Sequence, residues 1–93
     1  MSANIVVYVS TVSSSIELKK KQQKIEAVLS GKKIAYTAID VAADRENLEK
    51  MRQVVGDPTA LAPQIVNGDV YCGNFEAFDE AVENEEIEQF LKL

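Results

Sequence analysis

Apolar positions along this chain change period several times, and each change marks an element. Ile5-Val6-Val7-Tyr8-Val9 is a continuous run rich in β-branched residues, which predicts a buried central strand. It gives way to the polar stretch Ser10-Thr11-Val12-Ser13-Ser14-Ser15. Ser14 with Glu17 three residues later is a capping-box pattern, so a helix is expected to open there. Leu18, Ile25, Val28 and Leu29 then recur at helical spacing, Lys19, Lys20, Lys21 and Lys24 fill the other side, and Gly31 provides a stop. Ile34 to Asp40 reads as a second strand with Tyr36 and Ile39 toward the core. Asp44 opens a second helix whose apolar face is Leu48, Met51, Val54 and Val55, and Gly56-Asp57-Pro58 ends it.

The last third reads as a hairpin and two helices. Asn67-Gly68 stands between the apolar pairs Ile65-Val66 and Val70-Tyr71, and both central residues of a type I′ turn need positive φ, so these pairs are expected as adjacent antiparallel strands. Asn74 caps a helix carrying Phe75, Phe78 and Val82. Asn84 is expected to start a last short helix, with Ile87, Phe90 and Leu91 on one face and Glu85 and Glu86 in its first turn. The order is β-α-β-α-β-β-α with a final helical segment. Strands joined by a crossover helix, then a hairpin, imply an α/β fold with a four-stranded mixed sheet and helices on its faces.

Length and composition narrow the picture. The 93 residues fit a single domain spanning 1–93, and 46% apolar content is that of a folded chain. No apolar run approaches the roughly 20 residues that span a bilayer, and no secretion signal is evident, so no membrane association is expected. Cys72 is the one cysteine, so no internal disulfide is available, and a cytoplasmic setting, with the nucleus as a second, is expected. There is no histidine. That removes the commonest general base and the commonest transition-metal ligand, and one thiol cannot build a metal cluster, so neither a metal site nor a cofactor is expected. A net charge of −5 argues against nucleic acid as a partner.

The residues also carry a resemblance. Leu61-Ala62-Pro63-Gln64-Ile65 resembles the loop and strand start where glutaredoxins, in the short form of the thioredoxin fold, place a cis-proline. Val66 to Glu76 resembles their hairpin and following glycine turn. Tyr8, the Lys/Gln-rich first helix, Asn67-Gly68-Asp69, Tyr71-Cys72-Gly73, Phe75-Glu76 and the ending Glu88-Gln89-Phe90-Leu91 are similar to the SH3-domain-binding glutamic-acid-rich-like proteins, a glutaredoxin-like family without the C-x-x-C motif. The resemblance spans nearly the whole chain. It implies a thioredoxin fold of glutaredoxin-like form and a cis peptide at Ala62-Pro63.

Aligned on the strand end and helix start, Ser13 stands where the attacking cysteine of a glutaredoxin would be, and Ile16 where the resolving one would be. A serine hydroxyl needs a base to become a nucleophile, and no histidine supplies one. Ser13, Ser14 and Ser15 read either as a polar helix cap or as a residual anion or thiol-ligand pocket on the helix N–H groups. Ala62 and Pro63 read either as a structural turn or, as the resemblance implies, as main chain that holds an extended ligand. With Gly73 and Asn74 these residues outline a vestigial ligand groove. Several departures oppose glutathione. Ser10 stands near the position of a glutaredoxin lysine, Cys72 replaces the first glycine of a pair, and Phe75 replaces an acidic group. Glutathione binding is therefore expected to be weak or absent. Cys72 reads either as a small core residue or as a redox-sensitive thiol, with no cationic neighbour in sequence to favour its thiolate.

Two functions follow. The first is a non-catalytic interaction or modulator module with protein partners and no redox activity. The second is a weak glutathione-binding or single-cysteine redox protein using Cys72. SH3 binding is not expected, because Pro58 and Pro63 are five apart and form no P-x-x-P. Glu76, Asp79, Glu80, Glu83, Glu85, Glu86 and Glu88 make the C-terminal third acidic, so the chain is expected to be electrostatically two-sided against its lysine-rich first helix.

Overall fold

In the computed structural model, which describes residues 4–12 and 15–93, the elements run β1 (Ile5–Val9), α1 (Ile16–Gly31), β2 (Thr37–Asp40), α2 (Arg45–Val55), β3 (Gln64–Asn67), β4 (Val70–Asn74), α3 (Phe75–Glu83) and α4 (Ile87–Phe90). They form one mixed sheet in the order β2-β1-β3-β4. β1 pairs parallel with β2 and antiparallel with β3, and β3 pairs antiparallel with β4.

All five residues of β1 are buried, as its apolar run requires of a strand covered on both faces. The alternation of a strand sends Ile5, Val7 and Val9 to one side, where they meet Ile25 and Leu29 of α1, Phe78 of α3 and Ile87 and Leu91 at the end of the chain. Val6 and Tyr8 go to the other side, against Met51 of α2, Val41, Ala60 and Val66. Two small cores thus sandwich the sheet between α1, α3 and α4 on one face and α2 on the other. Phe78 and Phe90 meet edge to face at 5.8 Å, a geometry worth about 0.5–1.5 kcal/mol beyond burial.

Four local expectations are corrected. The cap of α1 is Ser15, whose hydroxyl accepts from Leu18 N at 3.2 Å, one residue beyond the Ser14–Glu17 capping-box pattern; Ser14 itself lies outside the described residues. β2 starts at Thr37 and not Ile34, because Lys33 adopts φ +58 and Ile34 N returns to Leu29 O, so both finish the helix. The hairpin turn is centred on Gly68-Asp69 and not Asn67-Gly68. Asn67 pairs with Val70, and of the two turn residues only Gly68 has positive φ (+61), the pattern of a II′ turn. The Asn67 side chain bonds the chain ends, accepting from Asn4 N and donating to Leu91 O. Finally, Asn84 ends α3 rather than starting α4. Glu85 at φ +55 breaks the helix there, and Glu86 holds the cap position of α4.

The expected caps Asp44 and Asn74 hold their helices, accepting from Glu46 N and Ala77 N. Gly56 takes the left-handed conformation at φ +81 that ends α2. No helix among the described residues is long and apolar enough to cross a membrane.

Candidate functional site

The topology gathers several element ends at one edge of the molecule. Tyr8 near the end of β1 lies opposite Gln64 at the start of β3, and Gln64 lies opposite Asn74 at the end of β4. α1 starts here, α3 starts directly after Asn74, and the segment after α2 leads into β3. Between these ends lies an open groove of about 560 Å³. Its walls include the cap residue Ser15 and Glu17, Leu18 and Lys21 of α1, Val55 at the end of α2, Asp57 to Gln64 without Pro58, Tyr71, and Asn74 to Glu76.

The connecting segment is held from both sides. Asp57 Oδ1 accepts from the amide and hydroxyl of Thr59, Arg52 Nε donates to Ala60 O at 3.1 Å, and the Ala62-Pro63 peptide is cis. Gln64, a buried polar side chain, has a partner on its nitrogen and on its oxygen. Its amide donates to Leu61 O at 2.8 Å and its Oε1 accepts from the Tyr71 hydroxyl at 2.7 Å. Leu61 is left 69% exposed. The main-chain N–H and C=O of Ala62 make no hydrogen bond among the described residues.

Of the residues singled out from sequence, Ser15, Ala62, Pro63 and Asn74 line the groove. Ser13 and Ser14 lie outside the described residues. Gly73 adjoins Asn74, but its missing side chain faces away from the groove: a Cβ there would stand 2.7 Å from Phe90 Cε1. Cys72 is the extra residue of a bulge, because Ile65 pairs with Gly73 and Val66 with Tyr71. It packs, half-buried, on the α1/α3 side of the sheet and does not line the groove. Burial pushes its thiol up, and the nearby Lys92 charge and a hydrogen bond from the Asn67 backbone offset this only in part. Tyr71, Gln64, Leu61, Phe75 and Glu76 were not singled out as groove residues. The available signal was period two along β4, which puts Tyr71 and Cys72 on opposite faces.

Two lysines of α1 pair with acids of α1 and α3. Lys21 Nζ lies 3.4 Å from Glu76 and 3.6 Å from Glu17, and 5.5 Å above the Phe75 ring. Lys24 pairs with Asp79. The basic and acidic helices therefore lie side by side. Among the described residues no group of three or more histidine, cysteine or carboxylate side chains is placed to hold a metal ion.

The fold and groove define a glutaredoxin-like protein of the thioredoxin fold whose single thiol stands apart from the groove. The chain belongs to the family of SH3-binding, glutamic acid-rich proteins, whose profile matches residues 3–93. It is 38% identical over 99 residues to the SH3 domain-binding glutamic acid-rich protein homolog of Drosophila melanogaster, an alignment that covers 94% of this chain and 63% of that protein. The chain thus spans less than two thirds of that relative. Among solved structures, the actin interacting protein Aip5 of C. albicans superposes with a TM-score of 0.77 at 20% identity, over 96% of this chain and 88% of that one. Buckwheat glutaredoxin in complex with glutathione superposes with a TM-score of 0.68 at 14% identity, over 97% of this chain and 77% of that one. At such identities these likenesses show the fold. The family is named for binding rather than for a reaction.

Proposed function

We propose that this chain is a non-catalytic protein-interaction module that holds an extended segment of a partner in the groove beside Ala62-Pro63. One observation carries the reading. The groove has an open main-chain donor and acceptor at Ala62, while the chain's only thiol lies outside it. An extended peptide takes main-chain hydrogen bonds from such a segment and specificity from the side-chain walls. Thiol–disulfide exchange needs a thiolate that reaches the bound disulfide, and Cys72 is both displaced and pushed toward its neutral form by burial. SH3 domains are not the partners proposed. Pro63 is buried in the fold, and Pro58 alone offers no polyproline helix.

A peptide-display selection against the immobilised chain tests the reading. Enriched segments are expected to bind more weakly to Leu61→Ser, a substitution at an exposed position of the groove wall that removes its apolar contact without adding charge. Segments that bind the variant as well as the wild type would remove the groove as the interaction site.

A further inference from the structure

The groove carries an excess of negative charge that its own lysine does not cancel. Its ionisable walls are Glu17, Lys21, Asp57 and Glu76, three acids against one base. Lys21 is already held between Glu17 and Glu76. Asp57 takes both of its Thr59 bonds on Oδ1, so Oδ2 accepts no hydrogen bond among the described residues, although the Arg52 charge, outside the groove lining, acts on this carboxylate. The C-terminus of α2 ends beside it and adds partial negative charge, while the N-termini of α1 at Ser15 and of α3 at Asn74 line the same groove and add partial positive charge, so the excess rests on the three carboxylates. The Tyr71 hydroxyl feels the same field, since Asp57 and Glu76 both act on it in the direction that disfavours its anion. Apolar surface lies between these acids: Leu18, Val55, Leu61 and Phe75 line the same groove, and Leu61 is largely exposed.

Building on the interaction module proposed above, we infer that the groove's partner is a cationic extended peptide, with Lys or Arg side chains that meet Asp57 and Glu76 and an apolar side chain that packs against Leu61 and Phe75. Charge complementarity selects this occupant. An anionic peptide meets repulsion from the carboxylates on the same walls. The pairing is solvent-exposed, so it sets selectivity and encounter rate more than raw affinity.

The test is a titration of the 15N-labelled chain with two capped synthetic peptides of equal length, one with a Leu-Arg-Leu-Arg core and one with Leu-Glu-Leu-Glu. The Arg peptide is expected to shift the amides of Asp57, Leu61, Ala62 and Glu76, and to bind about tenfold more weakly when salt is raised well above physiological strength. The double variant D57N/E76Q, at two exposed positions, is expected to weaken it about fivefold. If the Glu peptide occupies the groove as well as the Arg peptide, or the double variant binds unchanged, the cationic assignment fails while the groove reading stands. Shifts confined to the acidic surface at Glu83 to Glu88 overturn the assignment too. If neither peptide moves groove amides, the groove reading falls with it.

Discussion

The Tyr71 hydroxyl donates to Gln64 Oε1 at 2.7 Å, and the Gln64 amide passes on to Leu61 O at 2.8 Å, so a residue of the sheet edge fixes the loop that forms the groove wall. Gln64 is 7% exposed, which makes the first bond hard to replace by water. Removing one partner of a buried bond leaves the other desolvated. Tyr71→Phe is therefore expected to cost about 1–2 kcal/mol and to shift the amide resonances of Leu61 and Ala62, with β1 resonances unchanged. Denaturant melts and amide spectra of the variant check this. An unchanged stability with an unchanged loop would show that the relay does not hold the wall.

The same tyrosine predicts a pH dependence. Burial raises the Tyr71 pKa above 10.0, with the charges of Asp57, Cys72 and Glu76 acting in the same direction. Tyr8 is raised by burial and by Asp69. For a group whose folded pKa lies above its unfolded value, the stabilisation is fully present below the unfolded pKa and is lost as pH rises through the folded one. The chain is thus expected to be insensitive to these groups at neutral pH and to lose stability above about pH 10. Tyr71→Phe should flatten part of that alkaline slope. A slope as steep in the variant as in the wild type would place the titration elsewhere.

Gly73 is required by both backbone and space. It adopts φ +157, which side-chain-bearing residues rarely reach, and a Cβ would stand 2.7 Å from Phe90 Cε1 and 3.0 Å from Ala77 Cβ. Gly73→Ala is expected to cost roughly 2–4 kcal/mol, the sum of overpacking and backbone strain. Adding Phe90→Leu to the alanine variant should return part of that loss, which a double-mutant cycle measures. Strict additivity would mean that the Phe90 ring is not the obstacle.

Much of this architecture was legible in the residues. The β1 run is buried on both faces because five apolar residues in succession leave no polar side, and Asp44, Gly56 and Asn74 punctuate helices through capping and left-handed geometry that only a few residue types supply. The cis bond at Ala62-Pro63 was implied by resemblance rather than by local propensity. What the sequence hid is positional. Three consecutive serines do not say which one caps α1, and Asn67-Gly68 fits a I′ turn locally although the sheet register moves the turn one residue on. The groove was legible in part: Ser15 follows from the start of the first helix, and Ala62, Pro63 and Asn74 were implied by the resemblance, but its acids come together only through the packing of α1 beside α3 and the path of the segment after α2.

We propose that this glutaredoxin-like frame binds without redox chemistry. Glutathione-dependent reduction of a small mixed disulfide, run on the wild type and on Cys72→Ser, addresses it most directly. Both proteins are expected at the background rate, because the only thiol lies outside the groove and burial holds it toward its protonated form. Turnover in the wild type that Cys72→Ser abolishes would contradict the account.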